Sequence, residues 1–163
     1  MTPGRRAALA GAVATVLVLG GWVADASAVM SAAEEDESLA RDEDYSAGIV
    51  ALQAGNHTAA LLRFQAALKR FPEAANLHNE LGFAHRKLGQ YEKAFVHYRR
   101  ALAIDPRHRA AHEYIGEAYL AVDDLAGAER HLKALDEICL LPCDEQRDLR
   151  RSIAAHRDRP RAR

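Results

Sequence analysis

At 163 residues with a formal net charge of −1, the chain suits one domain and has no global basic field to draw it onto nucleic acid. Hydrophobic residues make up 49% and charged residues 28%, ordinary values for a globular protein with a packed core. Only 6% are aromatic while alanine is abundant, which favours close-packed helices over a sheet.

The first element in chain order is a leader. Arg5 and Arg6 precede an uncharged apolar run from Ala7 to Val23, and Ala26-Ser27-Ala28 places small residues where a signal peptidase needs them. Residues 1–28 therefore read as a secretory signal peptide cut after Ala28. The folded part is then expected in an exported compartment, the periplasm of a bacterial-type cell. The alternative is an uncleaved inner-membrane anchor, although the run is short of the ~20 residues a span needs; membrane contact follows only in that case. No Cys follows the run, which argues against a lipid-anchored lipoprotein. Losing Arg5, Arg6 and Asp25 leaves a net charge near −2. Residues 29–40 hold Glu34, Glu35, Asp36 and Glu37 and read as an acidic, flexible leader to the domain.

From residue 41 onward a period of 34 governs the chain. Gly48, Gly82 and Gly116 are spaced by it, as are Ala60, Ala94 and Ala128, then Phe64, Tyr98 and Leu132, then Ala67, Ala101 and Leu135, and Pro72 with Pro106. Such a period predicts stacked helical hairpins, here repeats 41–74, 75–108 and 109–142. Gly55-Asn56, Gly89-Gln90 and Asp123-Asp124 break each repeat near its middle with residues that tolerate or bond a tight turn. The predicted helices are Asp42–Ala54, Thr58–Arg70, Ala75–Leu88, Tyr91–Ile104, Arg109–Val122 and Leu125–Leu140. Thr58 is expected to cap its helix through its hydroxyl, and Pro72 and Pro106 to stop theirs. The repeated glycines and alanines remove side chains where helices cross, and Phe64, Tyr98 and Leu132 are expected to fill the space between one hairpin and the next. A seventh helix, 144–156, carries Leu149 and Ile153 as a narrow apolar stripe with Arg147, Arg150, Arg151 and Arg157 facing away, the pattern of a cap. Residues 157–163 read as a basic, disordered tail. The expected fold is all-α: a right-handed solenoid of three helical hairpins plus a C-terminal capping helix.

These residues resemble the tetratricopeptide repeat family. Leu81-Gly82, Ala94, Tyr98, Ala101 and Pro106 match it in repeat two, Gly48, Ala60, Phe64, Ala67 and Pro72 in repeat one, and Gly116, Tyr119 and Ala128 in repeat three, where Leu140 replaces the proline. The family's first-helix tryptophan is replaced by Asp44, His78 and His112. The resemblance covers about residues 41–142. It implies that the first helices line a concave groove binding a protein or peptide partner, with no enzymatic activity and no cofactor. The residues expected there are Tyr45, Ile49 and Gln53 from repeat one, Asn76, Asn79, Phe83, Arg86 and Lys87 from repeat two, and Glu113, Glu117 and Leu120 from repeat three. That set is apolar and aromatic at one end, basic and amide in the middle, and acidic at the other, suited to a peptide with its own charge pattern. A carboxylate-clamp subtype is argued against because Tyr45, Ile49 and Ala110 stand where clamp residues would be needed.

Cys139 and Cys143 are the only cysteines. An exported compartment favours a disulfide between them, and Pro142, by ending the helix, lets Cys143 fold back. Two alternatives stand beside it: thiol redox activity, since Cys143 precedes a helix start that would lower a thiol pKa, and binding of copper or another soft metal. Neither has a supporting motif. Of the eight histidines, His108 and His112 are four apart and His97 and His131 one repeat apart; the period explains most of this, and no metal site is expected. No phosphate loop, nucleophile elbow, metalloprotease or zinc-finger spacing is present, and Asp123-Asp124 are turn residues. The function expected is a protein- or peptide-binding adaptor. A self-assembling scaffold is a further alternative, because open repeat ends can stack head to tail.

Overall fold

The computed structural model describes residues 34–159. The predicted signal peptide lies outside the described residues, as do residues 160–163 of the predicted tail. The described backbone forms helices joined by turns: α1 (residues 34–40), α2 (Glu43–Gln53), α3 (His57–Leu68), α4 (Ala75–Lys87), α5 (Tyr91–Ile104), α6 (Arg109–Ala121), α7 (Leu125–Ile138) and α8 (Asp144–Arg157). The last lies within one residue of the predicted cap.

Side-chain caps set several helix starts by satisfying backbone N–H groups that have no partner within the helix. Asp42 accepts from the Tyr45 amide, Asn56 from Ala59 and Asp124 from Gly127. Thr58 is not the cap of α3: Asn56 takes that place, and Thr58 falls within the first turn. The three mid-hairpin turns pass through the left-handed region at Gly55 (φ +72), Gly89 (φ +71) and Asp123 (φ +62), where glycine has no Cβ to clash and aspartate is among the better-tolerated side chains.

Glycine and an aromatic ring interlock in the first two hairpins. A Cβ at Gly48 would lie 2.3 Å from the Phe64 ring, and one at Gly82 would lie 2.6 Å from the Tyr98 ring. Both rings are fully buried, each under its own hairpin's glycine and against the leading helix of the next hairpin, as expected: Phe64 clusters with Leu77 and Leu81, and Tyr98 with Ile115 and Ala118. The third hairpin departs from this pattern. Gly116 faces Leu149 of α8 at 2.7 Å, and Leu132 is only half-buried. A leucine is shorter than a ring, and the cap supplies the missing bulk.

The leader is ordered where it meets the domain. Residues 34–40 are helical, and Leu39, 1% exposed, joins Leu77, Leu81 and Phe64 in the first core cluster. One buried leucine, aided by a hydrogen bond from Asn76 to Asp36 at 3.0 Å, anchors a segment whose acidic composition alone suggests a flexible chain. At the other end, Leu149 and Ile153 bury the stripe of α8, and Cys139 and Cys143 are joined by a disulfide with Cα atoms 6.0 Å apart, within the usual range. Leu140 and Leu141, at the tip of that loop, are exposed. No helix among the described residues is long and apolar enough to cross a membrane.

Candidate functional site

The leading helices α2, α4 and α6 share an open cleft of about 280 Å³, lined by Ile49, Leu52 and Gln53 from α2, Glu80 and Phe83 from α4, and Tyr114 from α6. Helical spacing puts Ile49, Leu52 and Gln53 on one face of α2, and Glu80 and Phe83 on one face of α4. The Phe83 and Tyr114 rings meet at 5.1 Å and 54°, and His57 stands 6.4 Å from Phe83, edge-on. Tilted and edge contacts of this kind are favourable for aromatic quadrupoles.

Arg86 closes one side. Its guanidinium lies 5.3 Å from the Phe83 ring centroid and 5.4 Å from that of Tyr114, pairs with Glu117 at 2.8 Å, and donates to the Tyr98 hydroxyl at 3.4 Å. Its side chain is only 14% exposed. The basic middle anticipated for the groove is therefore largely neutralised from within, because Glu117 of the next repeat sits opposite Arg86. Lys87 keeps its ammonium at the rim, 5.2 Å from the Phe83 ring.

The carboxylates are less well matched. Glu80 receives one hydrogen bond, from Asn79 Nδ2 at 3.3 Å. Burial raises its pKa, and the Asn79 bond opposes that. Burial pushes the Glu113 carboxyl up to about 7, and the neighbouring charges of Glu117, Asp148 and Glu145 act in the same direction. The Tyr114 phenol is raised by burial and then by the charges of Glu113 and Glu80, so these two carboxylates lie near that ring.

Several expected groove residues are placed elsewhere. Leu120 is buried in the cluster with Leu149 and Ile153, because α8 covers it. Asn79 is 3% exposed and serves Glu80. Tyr45 packs 5.8 Å from the Phe64 ring, and burial pushes its phenol up to about 12. Asn76 is committed to a relay. His108 Nδ1 accepts from the Ala111 amide at 3.2 Å, so its Nε2 carries the proton and donates to Asn76 Oδ1 at 3.0 Å, while Asn76 Nδ2 donates to Asp36. Ile49, Gln53 and Phe83 line the cleft as expected. Leu52, Glu80 and Tyr114 were not among the expected residues. Glu80 and Tyr114 are one period apart, a spacing that could have exposed them as equivalent cleft positions.

Away from the cleft, two histidine pairs bridge the helices of their hairpins. His78 Nδ1 lies 3.1 Å from His97 Nδ1, and His112 Nδ1 lies 2.9 Å from His131 Nδ1. The Nε2 atoms of His78 and His112 lie 3.1 Å from the carbonyls of Pro72 and Pro106. A carbonyl can only accept, so Nε2 donates, Nδ1 accepts, and His97 and His131 donate from Nδ1. Burial, then the partner histidine, lowers His97 and His131 to about 4. These histidines form a structural clasp.

Comparison with known proteins bears on the architecture. Two tetratricopeptide repeat models match residues 45–108 and 85–138. The chain is similar in structure to the TPR2B domain of yeast Sti1, solved as a complex with pHsp70, with a TM-score of 0.63 and 20% identity over 78% of this chain and 97% of that one. It is also similar to the Yersinia enterocolitica type III secretion chaperone SycD, solved with a peptide of the translocator YopD. There the TM-score is 0.61 and the identity 23% over 76% of this chain and 89% of that one. A third likeness is to PcrH in complex with the chaperone binding region of PopD, with a TM-score of 0.61 and 23% identity over 77% of this chain and 96% of that one. No curated protein matches the chain. At these identities the structural likenesses speak for the fold alone. The family models, the period of 34 and the stacked hairpins agree: the chain belongs to the tetratricopeptide repeat family.

Proposed function

We propose that the protein is a non-enzymatic adaptor that binds a protein or peptide across α2, α4 and α6, and that it works in an exported, periplasmic compartment. The observation that carries this is the open cleft, where Ile49, Leu52, Phe83 and Tyr114 line a recess that no element among the described residues fills. Concave, mostly apolar sites with a few polar groups are where ligands bind, and an extended or helical segment fits between parallel leading helices. The similar structures solved with peptide or protein partners support the same use of the fold. The compartment is supported by the apolar run Ala7–Val23, by Ala26-Ser27-Ala28, and by the Cys139–Cys143 disulfide, a bond typical of oxidising compartments. An uncleaved leader would tether the same groove at a membrane surface. With both sulfurs in that bond, thiolate binding of copper would require prior reduction, and we read the disulfide as a staple between α7 and α8.

A photo-crosslinking residue in place of Gln53, which is exposed beside the cleft, tests the binding site in producing cells. Discrete adducts that disappear in a folded Phe83→Ala variant are expected. Identical adducts with and without Phe83 would remove the groove from the function.

A further inference from the structure

We propose that the groove selects a peptide segment in which a large apolar side chain stands next to a lysine or arginine. This rests on the groove reading above and specifies its ligand by donor and acceptor balance.

The cleft holds a surplus of acceptors. Glu80 lines it and receives a single hydrogen bond, from Asn79. Asn79 is 3% exposed, and its own Oδ1 has no donor among the described residues. Glu113 precedes Tyr114 on α6 and is half-buried, and the charged neighbours that act on it include the acidic Glu117, Asp148 and Glu145. Arg86 is held by Glu117, Arg109 lies 3.7 Å from Glu145, and Arg151 pairs with Asp148. Neither Glu80 nor Glu113 has an ion-pair partner among the described residues. Lys87 at the rim, beside the Phe83 ring, carries an opposing charge.

A buried carboxylate without a matching cation is costly, and an arriving ammonium or guanidinium relieves that cost. An acidic segment would instead place like charges together, which lowers affinity and slows encounter. The apolar half of the rule comes from size and lining. A recess of about 280 Å³ walled by Ile49, Leu52, Phe83 and Tyr114 is at the lower limit for a small-molecule pocket and suits one aromatic or branched side chain. The Tyr114 ring, approached by Arg86 alone, also offers π surface to an arriving cation, whereas Phe83 already has both Arg86 and Lys87 beside it.

The test is selection of randomised twelve-residue displayed peptides on the immobilised protein, followed by fluorescence anisotropy of the enriched sequences. The variants are Phe83→Ala and the near-isosteric Glu80→Gln/Glu113→Gln, each checked for helicity. The proposal expects enriched peptides that pair an aromatic or branched residue with Lys or Arg and weaken with added salt. It also expects at least a tenfold loss of affinity in each variant, and the same loss on wild type when the peptide's Lys or Arg becomes Glu. Acidic peptides that depend on Phe83 would overturn the proposal and leave the groove reading standing. Basic peptides indifferent to Glu80→Gln/Glu113→Gln would do the same. If no enriched peptide depends on Phe83, both fall.

Discussion

Hairpin one and its two successors clasp their helices at the same place with different chemistry. In hairpin one, Asp44 and Arg63 form an ion pair at 3.1 Å. One and two periods later the pairs are His78 with His97 and His112 with His131, at 3.1 and 2.9 Å. The repeat keeps a position for a polar bridge without fixing what the bridge is made of. Groove positions show the opposite behaviour. Glu80 and Tyr114 line the cleft one period apart and share neither shape nor charge. Equivalent sites that bond one another across a hairpin are structural, whereas equivalent sites that differ and face a cleft are free to specify a ligand.

The comparison can be broken or sharpened in order of expected effect. The largest is at the glycines. Gly82→Ala drives a methyl against the Tyr98 ring at 2.6 Å and should cost about 2–3 kcal/mol by overpacking. Gly116→Ala meets Leu149 methyls at 2.7 Å, the mobile end of a side chain, and should cost less. Urea unfolding of both variants decides it, and equal losses would mean that the cap is as rigid as the ring. Next is the clasp. His78→Ala leaves the His97 Nδ1 donor and the Pro72 carbonyl without their partner, which should cost about 1–3 kcal/mol. Asp44→Ala removes ion pairs to Arg63 and Arg70, both arginines largely exposed, and should cost less than His78→Ala, with the loss shrinking in high salt. A double-mutant cycle is expected to give strong coupling for His78 with His97 and weak coupling for Asp44 with Arg63.

The pH profile is a smaller effect that still separates the regions. His97 and His131 are lowered to about 4. Their contribution is complete above the ordinary histidine value of about 6.5 and is lost as pH falls through 4. A His97→Gln/His131→Gln variant should lose less melting temperature between pH 7 and 4 than wild type. Glu113 has the opposite sign. Raised to about 7, its contribution is complete below the ordinary carboxyl range and is lost as pH rises through 7, and Glu113→Gln should flatten that limb. The smallest expected effect is on binding: affinity for a basic peptide should rise as pH passes upward through 7 and Glu113 becomes charged, a trend anisotropy titrations would detect and Glu113→Gln would abolish.

Much of the fold was legible before any coordinates. The period located every hairpin helix, and α5 runs Tyr91–Ile104 as predicted, because turns at Gly55, Gly89 and Asp123 and caps at Asp42 and Asp124 are local events. The groove was legible only in part. Ile49, Gln53 and Phe83 do line the cleft, because a helix face follows from spacing. Leu120 was misplaced because its cover, α8, lies outside the repeat, and Asn76 because its partners Asp36 and His108 come from segments 40 and 32 residues away. Leu39 shows the same limit, since a lone leucine in an acidic stretch has no periodicity to announce its burial.

By itself, the sequence determined which segments are helical, where they turn, and that three hairpins must stack, because those outcomes depend on backbone sterics and on a repeated alternation of small and large side chains. Only the tertiary structure decided that Arg86 is neutralised by Glu117, that Glu80 and Glu113 have no ion-pair partner among the described residues, and that histidines replace an ion pair at the clasp. Those outcomes depend on distances between side chains far apart along the chain and on how much water burial removes around them, and neither quantity is written in local order.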